Sequence, residues 1–354
     1  VVPGELEGYT VDVIDINVFK SDAITSLTLP ETVLELRSNA VTWCENLKSV
    51  SLPESLIVIN RMNFNTCDSL SEVIIPAGVR YIGSNSFRFC GALKKVTFEG
   101  VCPIIDKECF SLIGEGATAY VPDDQLEAYA AAFEKAGIEL EIQPSGKNAV
   151  VVENNGFAEE DFDFDASTGT IVAYNGFATY LAISETIGGV PVKAIGAEAF
   201  KYHQYLALLE LPEGLEDIGD EAFYNCVTLG HVAFPSTLKT IGNNAFYNAY
   251  KGSTIELTSV EHIGDYAFYF AGFQGDMELP EGLKTIGESA FESCSNMGDL
   301  YLPSTLESIG SNAFKGDYNI QYIVLESPTA PMLGENVFAG CDYLYDIDLN
   351  AHGT

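Results

Sequence analysis

One pattern of residues recurs along most of the chain and constrains its fold more than any other feature. In the stretch 212–226 we take Phe223 as position 0, which places Pro at −11, Leu at −8, Ile-Gly at −5 and −4, Ala at −1, Cys at +3 and apolar residues at +6, +9 and +11. Apart from one gap of 90 residues, successive copies are 22, 23 or 24 residues apart. Such a period predicts a repeat solenoid. Position 0 is filled in turn by Val41, Phe64, Phe87, Phe110, Phe200, Phe223, Phe246, Phe268, Phe291, Phe314 and Phe338.

The strands of this solenoid can be predicted from the end of each repeat. Leu47, Val50 and Leu52 stand at +6, +9 and +11, and the last two alternate as in a short strand with one buried face. Pro53 then ends the strand, since it has no N–H to donate. Equivalent strands should stack about 4.7 Å apart in a parallel sheet. The predicted fold class is an α/β-type repeat solenoid of mostly short parallel strands, in tandem arrays of about 23-residue repeats.

The net charge of the chain limits its partners. The 354 residues carry a formal net charge of −34, with 47% hydrophobic and 19% charged residues. The hydrophobic content argues against disorder, and the acidity argues against a nucleic-acid partner, because phosphates would be repelled. Lys and Arg number 10 against 21 Asp and Glu up to residue 145, and 7 against 30 after it. No apolar run approaches the roughly 20 residues of a membrane span.

Two segments interrupt the period and predict two domains. Residues 123–136 have the pattern of an amphipathic helix, with Leu126, Tyr129, Ala130 and Phe133 on one face and Gly137 after its end. This helix should close a first array, residues 1–145. After a short linker at 144–147, Asn175-Gly between two alternating runs predicts a β-hairpin that opens a second array, residues 146–354. Because the sequence starts at Val1 without a signal peptide and stops where a final cap would begin, we expect a mature or trimmed fragment.

The cysteines follow the repeat, so we expect them to be structural thiols. A position that accepts Cys, Ala249, Ala271, Ile113 or His203 is small, buried and mainly apolar. Disulfides between neighbouring turns are the alternative, although stacked side chains seldom meet disulfide geometry. No CxxC pair exists, so a zinc site is not expected. Cys109 fills −1 and Cys102 fills −8. The other six cysteines stand at +3: Cys44, Cys67, Cys90, Cys226, Cys294 and Cys341.

The consensus LxxLxLPxxLxxIGxxAFxxCxxL resembles that of the BspA-like leucine-rich-repeat proteins, a family of bacterial surface and secreted proteins. The segment from Gly169 to Phe200 is similar to the family's usual start of an array, and Tyr120-Val-Pro with Tyr129 is similar to its usual end. The resemblance covers about nine-tenths of the chain. It implies an extracellular or bacterial cell-surface location, and binding of host or neighbouring-cell proteins as in some members of the family. It carries no catalytic motif to this chain.

Several chemical motifs have a structural explanation. His203, His231, His262 and His352 show no catalytic spacing, and we interpret them as solvated or satisfied in the core. The glycine that recurs at −4 is better explained by turn geometry than by phosphate binding. The Asp161-Phe-Asp-Phe-Asp165 run departs from the EF-hand template and suits a strand with one wet face. We therefore predict no cofactor, with Ca²⁺ as the alternative.

Two sets of residues in the second array are candidates for a binding surface. Tyrosines occupy +1 in three consecutive repeats, with Tyr202 and Phe270 at +2, and either ladder packing or recognition would explain them. Carboxylates flank the central apolar residue of the strands. They would either bind a cationic partner or Ca²⁺, or simply be solvated. Asp346 and Asp348 continue this second set, while the first array has Lys48, Ser49, Ser51, Lys94, Lys95 and Thr97 there. The candidate residues are Tyr224, Tyr247, Tyr269, Glu210, Glu256, Asp276, Glu278 and Asp299.

These observations predict a non-catalytic, adhesin-like extracellular module. It would recognise a protein or a glycan, including host extracellular matrix, on the solenoid surface. The alternative is a structural spacer of a larger surface protein without a ligand of its own. An enzyme is not expected, because no repeat departs from the consensus to build a pocket of titratable groups.

Overall fold

The computed structural model describes residues 1–152, 157–249, 255–273, 275–294, 296–325 and 330–348. The chain divides into two compact units, Val1–Asn154 and Asn155–Thr354. Each described unit is a solenoid of short, mostly parallel strands with little helix, which confirms the predicted fold class. No helix in the described ranges has the length and apolar character needed to cross a membrane.

The described part of the first unit contains thirteen strands and one helix. A five-stranded parallel sheet has the order β11-β9-β7-β5-β3, and on the other side of each turn lie β4-β6 and the sheet β13-β12-β10-β8. The strands β1 and β2 form an antiparallel pair. Their bounds are β1 (Glu5–Leu6), β2 (Tyr9–Thr10), β3 (Val13–Ile14), β4 (Ser26–Thr28), β5 (Glu35–Leu36), β6 (Ser49–Ser51), β7 (Val58–Ile59), β8 (Glu72–Ile75), β9 (Tyr81–Ile82), β10 (Lys95–Phe98), β11 (Ile104–Ile105), β12 (Thr118–Val121) and β13 (Glu141–Pro144).

The predicted helix forms and packs on the core of the first unit. It is α1 (Leu126–Ala136), and Gly137 ends it in the left-handed conformation with φ 65°. Tyr129 and Phe133 are buried as predicted, but Ala130 is exposed and Ala136 is buried in its place. The helix starts later than expected, because the carboxylates of Asp123 and Asp124 accept bonds from the main-chain N–H groups of Gly146 and Ala149. Strand β13 then pairs with β12, so the helix is not the last element of this unit.

The described part of the second unit contains eighteen strands. Nine of them form one sheet of order β14-β15-β19-β21-β23-β24-β26-β28-β30, and the other sides of the turns form the sheets β16-β20-β22 and β25-β27-β29-β31. The strands β17 and β18 form an antiparallel pair. Their bounds are β14 (Phe162–Asp165), β15 (Thr170–Tyr174), β16 (Tyr180–Ala182), β17 (Thr186–Ile187), β18 (Val190–Pro191), β19 (Ala194–Ile195), β20 (Leu208–Glu210), β21 (Asp217–Ile218), β22 (His231–Ala233), β23 (Thr240–Ile241), β24 (His262–Ile263), β25 (Gly275–Glu278), β26 (Thr285–Ile286), β27 (Met297–Leu302), β28 (Ser308–Ile309), β29 (Tyr322–Leu325), β30 (Met332–Leu333) and β31 (Asp346–Asp348).

A hairpin does open the second solenoid, but the prediction placed its turn wrongly. The antiparallel pair is β14 with β15, so the turn lies at 166–169 and not at Asn175-Gly176. The strands on either side of Asn175-Gly176 belong to different sheets. The reason is that Tyr174 already occupies position 0 of a solenoid turn, with its ring 5.0 Å from that of Phe200. The Asn-Gly pair is therefore a corner of that turn.

The core of each unit is a column of aromatic rings along the solenoid axis. In the second unit, from Phe200 to Phe338, the centres of neighbouring position-0 rings are separated by 4.9 to 5.7 Å, with interplanar angles of at most 21°. In the first unit Phe64, Phe87 and Phe110 stack at 5.2 and 5.1 Å. The aliphatic residues at −8, −5 and +6 surround these rings. Each turn thus buries its apolar face against the turns on either side of it.

The segment around position 0 has no strand, yet its main chain also connects consecutive turns. Residues at −2 and +2 lie in the left-handed region, as with φ 56° at both Glu221 and Asn225. This alternation turns the amides at −2, 0 and +2 toward the next turn, where Glu221, Phe223 and Asn225 donate to main-chain oxygens at 2.8, 2.7 and 2.9 Å. Main-chain hydrogen bonds therefore link the turns at the corner as well as in the sheets.

The recurring glycine at −4 has a different role from the predicted one. Gly83 and Gly219 do not have positive φ, so turn geometry does not require glycine there. A Cβ on Gly83 would lie 2.5 Å from the main-chain nitrogen of Arg61, and one on Gly219 would lie 2.8 Å from that of Ala197. The explanation by turn geometry is therefore wrong. Glycine is needed because the preceding turn approaches too closely for a side chain.

A pair of substitutions in the first unit tests this explanation. Gly83→Ala should lower the free energy of unfolding by about 1–3 kcal/mol, because the new methyl group must push two turns apart. Gly91→Ala is the control, since nothing lies within 4 Å of a Cβ there and its φ is ordinary; it should be neutral or stabilising by about 0.4–1 kcal/mol. Urea unfolding of both variants measures the difference. Equal stabilities would contradict the close-approach explanation.

Candidate functional site

Three of the candidate residues form a continuous column on the surface of the second unit. Tyr224, Tyr247 and Tyr269 each follow the buried phenylalanine at position 0, so they leave the core at the same point of consecutive turns. Their rings are stacked at 4.8 Å, with interplanar angles of 15° and 9°. All three side chains are half-buried. We call these three residues the tyrosine column.

The tyrosine column has charged residues at both ends, which were not among the residues predicted from the sequence. Lys201 occupies +1 in the preceding turn, with its Nζ 5.5 Å from the centre of the Tyr224 ring, and it also pairs with Glu221 at 2.6 Å. At the other end +1 is filled by Glu292 and then by Lys315, which pair at 3.0 Å. The signal was available, since +1 reads Lys, Tyr, Tyr, Tyr, Glu and Lys in consecutive repeats.

Stacking determines which parts of the tyrosines a ligand could reach. The inner ring faces cover one another, so ring edges and hydroxyl groups remain. Among the described residues, none of these three hydroxyls has a hydrogen-bond partner. Burial and then the neighbouring tyrosines raise the pKa of Tyr224 and of Tyr247, which keeps the phenols protonated and able to donate. Tyr202 and Phe270, at +2, expose about half of their surface beside the column.

The candidate carboxylates do not form one continuous row. Glu210 lies on β20, where its partners in register are Ala182 and Ala233, and its Oε1 accepts a bond of 3.0 Å from the Tyr180 hydroxyl. Glu256 is exposed but lies outside any strand. Asp276, Glu278 and Asp299 belong to a different sheet from Glu210. The structure therefore brings only the last three of these residues near one another.

Two of those three carboxylates connect turns of the solenoid. Asp276 Oδ1 accepts a bond of 3.0 Å from the main-chain N–H of Asp299, and Asp299 Oδ1 accepts one of 3.0 Å from that of Tyr322. Glu278 is exposed, and its partner in register is Tyr301. Asp276 and Asp299 thus have a structural role. Since Oδ1 of each is already bonded, less of each carboxylate is available to a ligand.

A shallow groove of about 690 Å³ on the nine-stranded sheet was not predicted. It runs over the glycines at −4, whose missing side chains leave its floor open, from Gly242 to Gly334. The side chains at −6 and at −3 form its walls. At −3, Asp220, Asn243 and Asp265 each accept a bond of 2.7 to 2.8 Å from the N–H group of the next turn. These bonds form a ladder between side chains and the main chain of the next turn. The Asp or Asn that follows the recurring glycine could have indicated this ladder in the sequence.

The basic residues of the second unit are engaged with carboxylates. Each described lysine of this unit forms an ion pair with a glutamate. At −7 the charges alternate along consecutive turns, and Glu261 lies between Lys239 and Lys284. Such exposed pairs contribute little to stability. In the described ranges, the remaining acidic residues of the second unit therefore have no unpaired lysine to offset their charge.

The histidines and the acidic run at 161–165 have structural explanations. His203 Nε2 lies 2.8 Å from the Tyr174 main-chain oxygen, and burial lowers the pKa of His203. Asp163 and Asp165 lie on β14, and hydrogen bonds from Ser167 and Thr168 lower the pKa of Asp165. In the described ranges, no three His, Cys, Asp or Glu side chains are grouped so as to hold a metal ion. His231 is half-buried and His262 is exposed, while His352 lies outside the described residues.

All eight cysteines are free thiols, and seven of them are buried. Those at +3 point along the solenoid axis, as when Cys226 Sγ donates to the Phe200 main-chain oxygen at 2.9 Å. Burial raises the pKa of Cys226 and of Cys341 to about 12, so both remain thiols. The structure agrees with the expectation of structural thiols rather than disulfides.

Comparison with known families identifies the repeat. The model of the BspA type leucine rich repeat region matches residues 12–139, 193–274 and 261–354, in six copies. Since these matches cover well over half of the sequence, the chain belongs to the BspA-type leucine-rich-repeat family, as the consensus predicted. Leucine-rich-repeat solenoids are typically non-catalytic scaffolds for protein interaction. No significant match is found among curated proteins.

Several solved structures of leucine-rich-repeat proteins are similar to parts or all of the chain. The T. pallidum leucine rich repeat protein TpLRR is 24% identical, with a TM-score of 0.47, over 54% of this chain and 91% of its own. A leucine-rich repeat protein from Eubacterium ventriosum is 19% identical, with a TM-score of 0.42, over 99% and 83%. The pneumococcal vaccine antigen PcpA is 18% identical, with a TM-score of 0.30, over 95% and 88%.

The stacking energy of the tyrosine column can be measured at its central residue. Tyr247→Ala removes two ring contacts, each worth about 0.5–1.5 kcal/mol, and should lower the free energy of unfolding by about 1–3 kcal/mol. Tyr247→Phe keeps both contacts, and because the hydroxyl has no partner among the described residues it should change stability by less than about 0.5 kcal/mol. Denaturant unfolding measures both changes. A Phe variant as unstable as the Ala variant would contradict the stacking account.

Proposed function

We propose that this protein is a non-catalytic binding module whose tyrosine column recognises a protein or a glycan. The observation that supports this proposal is the row of three phenol hydroxyls, 4.8 Å apart from ring to ring, without partners among the described residues. A folded protein usually satisfies its polar groups or gives them to water. A row of donors on a rigid scaffold is well placed to bind a ligand whose acceptors repeat, because little side-chain entropy remains to be lost.

The surroundings of the column favour the same function. Tyr202 and Phe270 add exposed aromatic surface beside it, and aromatic side chains are enriched at protein interfaces. Glu278 and the neighbouring carboxylates add negative potential that would attract a cationic patch on a partner. Asp276 and Asp299 contribute less, since each is already bonded to the main chain of the next turn.

The proposed location is extracellular or on a bacterial cell surface, where an adhesin-like module would meet host matrix or a neighbouring cell. Family membership supports this location, and it names no ligand for this chain. The alternative function is a structural spacer, and the inter-turn bonds of Asp276 and Asp299 favour it, because they explain part of the acidic surface without a ligand. Neither function requires a cofactor.

A triple substitution separates recognition from folding. Tyr224→Phe, Tyr247→Phe and Tyr269→Phe together keep the ring stack and remove the three hydroxyls. Each hydroxyl that bonds a ligand should contribute about 0.5–1.5 kcal/mol, so the affinity should fall roughly tenfold or more. The measurement is saturable binding to immobilised extracellular-matrix proteins and glycans, by surface plasmon resonance, at low and high salt and with or without Ca²⁺.

The chain offers a matched control for this experiment. Tyr318, Tyr343 and Tyr345 are exposed tyrosines of the same unit outside the column, and their replacement by Phe should leave affinity unchanged. Weaker binding at high salt would add the carboxylates to the recognition surface, and an effect of Ca²⁺ would add a metal. Wild-type protein that binds no member of the panel, or a triple variant that binds as tightly as the control, would favour the spacer.

A further inference from the structure

The +3 position of the repeat is a hydrogen-bond donor position inside the solenoid. The thiols of Cys90, Cys226, Cys294 and Cys341 each donate to the main-chain oxygen at position 0 of the preceding turn, at 3.1, 2.9, 3.1 and 3.3 Å. His203 fills the same position and contacts the Tyr174 oxygen in the same way. Where +3 is alanine, no donor is present. The position therefore accepts a donor or an apolar side chain, and a charged acceptor does not suit it.

Asp317 breaks this rule. It stands at +3 of the turn centred on Phe314, it is fully buried, and neither carboxylate oxygen has a hydrogen-bond partner among the described residues. By the register of the repeat, a thiol at this position would donate to the Phe291 main-chain oxygen. That oxygen accepts one bond, from the Cys294 N–H at 3.3 Å, and a carbonyl oxygen can accept two. A carboxylate cannot donate to it, but a carboxylic acid can.

The side chains that face Asp317 disfavour its ionised form or leave it unchanged, and among the described residues only the main-chain N–H of Cys294 favours that form. The thiols of Cys294 in the preceding turn and Cys341 in the following turn are buried, and each donates to a main-chain oxygen. Glu292 of the preceding turn is acidic, although Lys315 pairs with it at 3.0 Å, and Asp342 lies beside Cys341 in sequence. Burial raises the pKa of Asp317 well above its usual range, and Glu292 raises it further. The Cys294 main-chain N–H lowers it in part, although it does not reach hydrogen-bond geometry with either carboxylate oxygen.

We propose that Asp317 is a protonation-dependent latch: as a neutral acid it donates to the Phe291 main-chain oxygen and holds the last turns of the second solenoid closed. Loss of its proton removes the donor and leaves a buried charge without a counterion, so the turns from Phe314 onward open more often. The latch lies in the same turn as Lys315, which stands at +1 two turns after the last tyrosine of the tyrosine column. Opening at this end would therefore change the surface next to the proposed binding site.

The direction of the pH dependence follows from linkage. In the opened state Asp317 has an ordinary pKa near 4, and in the closed state its pKa is raised, so the closed state retains a proton that the opened state releases. The latch is fully effective below about pH 4. As the pH rises from there to the raised value, the opening equilibrium constant should increase by up to about tenfold per pH unit.

Hydrogen exchange detected by mass spectrometry tests this latch. Peptides from residues 314–325 and 330–348 should exchange faster as the pH rises from 5 to 9, after correction for the intrinsic exchange rate. Asp317→Asn keeps a donor of similar shape that does not titrate, and should remove most of this additional pH dependence in those peptides. Peptides from residues 206–249 of the same molecule are the internal control and should behave alike in both proteins.

A second variant keeps the test decisive if the Asn variant folds poorly. Asp317→Cys restores the donor found at this position in six other turns. It should raise Tm by at least about 2 °C at pH 8 and by less at pH 5. The proposal is overturned if wild type and both variants show the same pH dependence of exchange in residues 314–348, or if Asp317→Cys is less stable than wild type at pH 8.

Discussion

The interaction on which the structure depends is the in-register pairing of each turn with the next. No turn has a core of its own, since the strands are only two to six residues long and each phenylalanine at position 0 completes its packing against the rings above and below. The left-handed residues at −2 and +2 serve the same pairing, because they direct amides along the axis where no strand exists. So does the glycine at −4, which allows the main chains of two turns to come into contact.

In-register pairing also determines how a surface can be built on such a scaffold. One choice of residue type at one position becomes a row of identical groups at the spacing of the turns. In the second unit, tyrosine at +1 gives a stacked column, alternating Lys and Glu at −7 gives a ladder of ion pairs, and Asp or Asn at −3 gives a ladder of main-chain bonds. In the first unit +1 is filled by Thr42, Asn65, Arg88 and Ser111, so the same scaffold presents no aromatic column there.

The sequence predicts most of this architecture because the period identifies which residues are equivalent. The aromatic core, the thiols at +3 and the helix near the end of the first array all follow from that equivalence. The errors arise where local patterns compete with it. Asn175-Gly176 has the pattern of a hairpin turn, but Tyr174 packs as a position-0 residue and makes the pair a corner. Ala130 was expected to be buried from helical spacing alone, whereas docking on β11 and β13 buries Ala136 instead.

The candidate site was predictable only in part, for a related reason. The tyrosine column follows from the period, but the partners of each carboxylate depend on strand length and register, which residue spacing does not give. Asp276 and Asp299 accept main-chain bonds, and Glu210 lies between alanines. The groove arises from a glycine whose role was assigned to turn geometry. Asp317 is visible only as an exception to the donor pattern at +3, and that pattern requires the hydrogen bonds themselves.

The most direct measurement is the deletion of one whole turn, residues 224–246, compared with the deletion of half a turn, residues 224–235. If every turn is an equivalent unit paired in register, the whole-turn deletion rejoins Phe223 to Tyr247 in phase. It should then fold with a cooperative thermal transition and an unchanged far-ultraviolet circular dichroism spectrum. The half-turn deletion should put every later residue out of register and prevent the rest of the second unit from folding. Equal behaviour of the two deletions, whether both fold or both fail, would contradict the account.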